Sequence, residues 1–183
     1  MLWAIPAGML AGLLLGGRLE KLSTFRFRWG AVAVAGLLVQ VALFTEAGHA
    51  LAGALAPAIY LVSTLVVFVA VLRNIRLPGM ALVALGSMSN LAAIAANGGA
   101  MPADPAALAY AGLPAEDHLN SVVLAEPALR PLTDVFALPA WLPFANVFSV
   151  GDVLIAAGIA WTIAATMRGT APATGDATTA AEA

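Results

Sequence analysis

The chain has 183 residues, of which 62% are hydrophobic and 10% charged, with a net charge of -2 and a mean hydropathy of +0.95. Soluble domains carry roughly 45–50% apolar and about 25% charged residues, and a chain this short has too much surface to hide such an excess in one water-soluble core. The composition therefore excludes a soluble enzyme, a disordered protein and a nucleic-acid binder, and the lack of cysteine excludes disulfides, thiolate metal sites and a thiol nucleophile.

A helix needs about 20 mainly apolar residues to cross the hydrocarbon core. Uncharged or nearly uncharged apolar stretches at 1–17, 29–44, 50–72, 77–96 and 147–167 predict five transmembrane helices in one all-α integral membrane domain, 1–168. The first carries no basic residue ahead of its apolar run, as a signal peptide would, and reads as a retained helix. Its Gly8, Gly12 and Gly16 recur every fourth residue, a smooth stripe that lets another helix approach, in this chain or in a second membrane subunit.

RLEKLSTFRFR, TEAGH and RNIR read as short loops. Seven of the eight lysines and arginines fall in the first and third loops or just after the last helix. The positive-inside rule then places the N-terminus outside and the C-terminus inside the cytoplasmic (inner) membrane, with Trp3 and Trp29 at opposite interfaces.

The stretch 97–146 holds seven of the eleven prolines, which rules out a lipid-exposed span there. Its apolar runs SVVLAEPALRPL and VFALPAWLPF predict an extracytoplasmic cap folded back onto the bundle. The small-residue tail, 169–183, reads as disordered and cytoplasmic.

An ionisable residue inside a span is a functional candidate by default, and Asp152 is the one such residue in these five stretches. Ser149-Val150-Gly151-Asp152 also reads as a capping box, with Asp152 facing the positive end of the helix dipole, and both readings stand. Asp134, in RPLTDVFALP, leads the chain back to the same interface and is the obvious partner, although taken alone it reads as a solvated loop or turn residue. Two carboxyl groups held close together do not both ionise easily, so one can activate water while the other protonates a substrate carbonyl.

On the fourth helix Ser87, Asn90 and Asn97 share one face. Asn90 and Asn97 are candidate ligand-positioning donors beside Asp152, or simply interhelical hydrogen-bonders, as Gln40 and Thr64 would be on neighbouring helices. Glu116-Asp117-His118 reads as solvated loop, since three consecutive side chains diverge. No phosphate loop, nucleophile elbow or dinucleotide fingerprint is present, so no cofactor, metal or nucleic acid is expected.

Two resemblances follow from these motifs. NGGAMP, TDVFALP and NVFSVGD together resemble a family of small bacterial membrane proteins known only as a domain of unknown function, which implies no activity. More locally, Asp134 and Phe148-Ser149-Val150-Gly151-Asp152 resemble the two aspartate segments of lipoprotein signal peptidase, with Asn97-Gly98-Gly99 echoing that family's Asn-x-Gly segment. Ser149 and Gly151 stand where that family has Asn and Ala, and its Gly-Asn-x-x-Asp-Arg signature is missing. The resemblance implies an aspartyl hydrolase or peptidase-like pair, Asp134 and Asp152. The alternative is a non-catalytic subunit or scaffold that packs against other membrane proteins through Gly8, Gly12 and Gly16.

Overall fold

The computed structural model describes residues 2–114 and 121–170. Glu116, Asp117, His118 and the 171–183 tail lie outside the described residues. The protein is built mainly of helices: α1 (Ala4–Leu14), α2 (Gly30–Leu43), α3 (Glu46–Ala52), α4 (Ala56–Arg73), α5 (Met80–Ala96), α6 (Pro105–Ala111) and α7 (Val150–Arg168). The helical runs Glu46–Arg73 and Val150–Arg168 are long and apolar enough to cross a membrane, while α1, α2 and α5 are shorter apolar helices. Their outer faces are apolar: Leu38 and Val62 are 62% and 60% exposed. A surface of this kind marks contact with lipid or protein rather than with water.

The helix ends depart from the sequence expectation for local reasons. α1 stops at Leu14, and Gly16 takes up a left-handed φ of 76° just beyond it, the usual conformation of a residue past a helix end. TEAGH is no loop. The Thr45 side chain caps α3 by accepting from Gly48 N–H, and after a short 3-10 turn at Gly53–Leu55 the helix resumes as α4. Pro78 and Gly79, with φ 85°, delay the start of α5 to Met80.

The helices pack in the order α2, α4, α5, α7, α1, with α5 on α7 and α1 on α7 the most extensive contacts. The antiparallel α5–α7 pair closes through two glycine pairs spaced seven residues apart on each strand of the contact. A Cβ on Gly158 would meet the Gly79 carbonyl oxygen at 2.6 Å, and one on Gly151 would meet the Gly86 carbonyl oxygen at 2.7 Å. α2 approaches α4 in the same way through Gly36, whose Cβ would lie 2.8 Å from Val67.

The glycine stripe of α1 is filled by this chain. Gly8 faces Ala160 and Gly12 faces Met167, both on α7, while nothing lies within 4 Å of a Cβ on Gly16. Gly8 and Gly12 are thus covered by α7 and not open to a second subunit, and Gly16 serves the helix end.

The 97–146 stretch folds onto one end of the bundle. An expectation of helices alone misses the two-residue strands among its described residues, three in the stretch and a fourth directly after it. β1 (Met101–Pro102) pairs in parallel with β2 (Ser121–Val122), and β3 (Phe136–Ala137) pairs antiparallel with β4 (Val147–Phe148). Prolines that forbid long helices leave these short extended pieces to satisfy backbone groups. With α6 they enclose a small core of Ala103, Ala107, Leu108, Ala111 and Val147.

Two asparagines, one at each end of the bundle, fasten loops by the same device. Asn74, past the end of α4, donates to Arg28 O at 2.7 Å and to Ala70 O at 2.8 Å, and accepts from Arg28 N–H at 2.8 Å. The two loops carrying Arg26, Arg28, Arg73 and Arg76 are thereby joined. Asn97, past the end of α5, donates to Ala93 O and Ala128 O and accepts from Ala128 N–H, which ties the cap down.

Gly158→Ala should lower stability by about 1–3 kcal/mol through overpacking of the α5–α7 contact. Gly30→Ala meets only Phe27 at 3.8 Å and should be neutral or stabilising by up to about 1 kcal/mol. Thermal unfolding of the two purified variants in detergent checks the contrast, and equal melting points would contradict it.

Candidate functional site

The cap and four helices enclose a cavity of about 540 Å³. Asp134 and Asp152, the two carboxylates singled out from sequence, both line it, together with Asn90, Tyr60 and Asn146.

Asp152 sits at the start of α7 and is held from three sides. Ser149 N–H donates to its Oδ2 at 3.0 Å, and the Ser149 hydroxyl accepts from Asp152 N–H at 3.1 Å, which completes a capping box. Across the helix contact, Asn90 Nδ2 donates to Asp152 Oδ1 at 2.8 Å. The Ser149 hydroxyl oxygen lies 2.8 Å from Asn90 Oδ1 and 3.1 Å from Asp152 Oδ2, so its single proton is donated to Asn90 by the shorter bond. Asp152 is therefore both a helix cap and a cavity residue; the two roles that its sequence context left open coexist.

Asp134 is placed by its backbone. Its N–H donates to Pro102 O at 3.0 Å and its carbonyl accepts from Asp104 N–H at 3.0 Å. This strip runs beside β1 and directly follows Thr133, which is 1% exposed. One side-chain oxygen, Oδ1, is buried with no hydrogen-bond partner among the described residues. Burial, and secondarily the nearby charge of Asp152, push the Asp134 carboxyl up to about 7. Asp134 is no solvated loop residue, because the fold removes it from water next to a second carboxylate.

Asn90 lies at the centre of this arrangement, bonded to both Ser149 and Asp152. Asn97 does not line the cavity; its amide is committed to the Ala93 and Ala128 backbone. Gln40 donates to Thr64 at 3.3 Å, joining α2 to α4 along the cavity wall.

Sequence reasoning missed Tyr60 and Asn146. A tyrosine in an apolar helix and an asparagine among prolines give no periodic signal, and only the packing brings them to this wall. Among the described residues no lysine or arginine lines the cavity. Arg130, in the cap, is tied to Asp104 at 3.1 Å, a contact that holds the Asp104 carboxyl below its ordinary range.

A helical bundle with apolar outer faces, two helical runs long and apolar enough to cross a membrane and a cavity lined by two carboxylates defines an apolar, mainly helical protein of unassigned activity. The chain belongs to the family of unknown function DUF5317, which matches residues 24–164 and so includes Asn90, Asn97, Asp134 and Asp152. No curated protein and no solved structure matches the chain.

The folded protein holds the Asp134 proton up to about pH 7, whereas an unfolded chain releases it near the ordinary value of about 4. The folded state is then favoured most below that unfolded value and loses stability as pH rises towards 7, by up to about 1.4 kcal/mol per pH unit. Asp134→Asn should flatten this slope and melt higher than the parent at pH 8. Melting curves from pH 4 to 8 check it; parallel slopes for the two proteins would show that Asp134 does not titrate in this window.

Proposed function

We propose that the protein is a five-span inner-membrane protein with its N-terminus outside and its tail inside, carrying an outward-facing hydrolytic site of the aspartyl type. The topology is supported by the clustering of basic residues in the loops that Asn74 joins and by the acidic balance of the cap. α1, α2 and α5 would cross with the help of neighbouring turns and local bilayer thinning, as short apolar helices do.

The observation that carries the hydrolytic reading is the pairing of unlike carboxyl groups in one cavity. Asp152 is saturated with donors, while Asp134 is buried, lacks a partner at Oδ1 and keeps its proton to about pH 7. Unlike environments for two neighbouring carboxyls separate an acid from a base. In the proposed reaction Asp152 takes a proton from a water whose oxygen attacks the substrate carbonyl carbon. Asp134 gives its proton to the carbonyl oxygen. The tetrahedral intermediate then collapses: the bond to the leaving group breaks, the proton on Asp152 passes to that group, and as the carbonyl reforms one hydroxyl proton of the intermediate returns to Asp134. Asn90 is a positioning residue, since it fixes Asp152 by the 2.8 Å bond. The local resemblance to lipoprotein signal peptidase at Asp134 and Asp152 points the same way. No specific observation favours the scaffold reading, as α7 already covers Gly8 and Gly12.

Reporter fusions after Ser23, Ile75 and Arg168 should report the cytoplasm, and fusions near Gly48 and Pro114 the outside. An outside signal after Arg168 would overturn the orientation. Asp134→Asn and Asp152→Asn should each lower hydrolysis by at least about 10²-fold, the usual contribution of a general acid or base. Folding is checked by melting in parallel, because Asp152→Asn also touches the cap of α7. Turnover surviving in both folded variants would remove the mechanism.

A further inference from the structure

We infer that the cavity takes a single-chain amphiphile, an acyl amide or ester whose head is uncharged or cationic and whose acyl chain runs down between the helices. This rests on the hydrolytic reading and names its substrate class. The inference comes from how polarity is distributed along the cavity. At the cap end stand Asp134, Asp152 and Asn146, with Tyr60 and Asn90 beside them. Away from the cap the wall passes through Thr64 and Ser87 and then becomes apolar, with Phe68, Val71, Val83 and Ile159.

The lengths are set by the helices. Ile159 lies seven residues beyond Asp152 on α7, and Val83 seven residues before Asn90 on α5, which at 1.5 Å per residue is about 10 Å of depth on each wall. At the far end Val71 and Val83 belong to a buried apolar cluster with Leu77 and Met80, against which Phe25 and Phe27 pack. A hydrophilic ligand would leave that depth unfilled, and a wholly apolar one would strand the buried Asp134 Oδ1 without a partner. A molecule with one polar end and one apolar chain meets both requirements.

The sign of the head follows from the charges. Two carboxyl groups line the polar end and no lysine or arginine faces it, while Arg130 is occupied by Asp104. A phosphate head would face two carboxyl groups there with no cationic side chain among the described residues to balance its charge. Entry is from the side: α2 packs on α4 and α7 packs on α5 and α1, but α2 and α7 form no packed interface of their own. A chain already in the bilayer can pass between them without crossing water.

The test uses N-dodecanoyl ethanolamine carrying a diazirine at the chain end, with the intact protein in lipid nanodiscs. Adducts are mapped by peptide mass spectrometry. Labelling is expected on the α4, α5 and α7 segments around Val71, Val83 and Ile159. The same chain on phosphoethanolamine should label at least about tenfold less, equivalent to 1.4 kcal/mol. Ile159→Trp and Val67→Trp, one from each wall, should each cut the labelling by at least about tenfold; both positions are half-buried and face the cavity. Adducts confined to outward residues such as Leu38 and Val62, equal labelling by the phosphate probe, or unchanged labelling in both tryptophan variants would overturn the inference. Release of ethanolamine is measured separately. Cavity labelling without release would remove the hydrolytic reading and leave the amphiphile site standing. Release from N-acetyl ethanolamine without cavity labelling would do the reverse.

Discussion

The close approach of α5 and α7 is the constraint on which the rest of the structure depends. Gly79 and Gly86 on one side, and Gly158 and Gly151 on the other, bring two backbones within a distance that no Cβ could share. A Cβ on Gly151 would also collide with Asn90. Because it is absent, the Asn90 amide reaches both Ser149 and Asp152. Helix packing and site geometry are therefore one feature. In an apolar surrounding the hydrophobic effect gives helices little reason to associate, and close van der Waals contact with interhelical hydrogen bonds supplies it.

The site then forms by addition from the cap. Prolines keep the 97–146 stretch from forming a long helix, and outside α6 some of its backbone groups find partners in two short sheets and in Asn97. That folding has a consequence for charge. Asp134 is carried from a proline-rich connection into a buried position beside Asp152, where burial and like charge favour its protonated form. The cap's one basic residue is engaged by Asp104 and leaves that charge uncompensated.

Much of the helical organisation was legible in sequence. Apolar stretches separated by basic loops located α1, α2, α4, α5 and α7, and the Ser149–Asp152 capping box was readable because a cap is a local motif. The errors were local as well. TEAGH lacked apolar character yet opened a new helix, since Thr45 supplied an N-cap. The glycine stripe on α1 was visible from its spacing, but the pair on α5 and α7 was not. Its members recur every seven residues on two helices far apart in the chain, and each looks incidental alone.

The sequence by itself determined that this chain is apolar, helical and interrupted by a proline-rich stretch, and it singled out Asp134 and Asp152 as the carboxylates to watch. Those conclusions rest on composition, periodicity and neighbours within a few residues, which a linear chain records directly. Only the tertiary structure decided that the two aspartates line one cavity, that Asn90 lines it and bonds Asp152 while Asn97 does neither, and that α7 fills the stripe of α1. Each of these depends on which backbones come within contact distance. That distance is set by the absence of side-chain atoms at glycines on two different helices, and no single segment contains it.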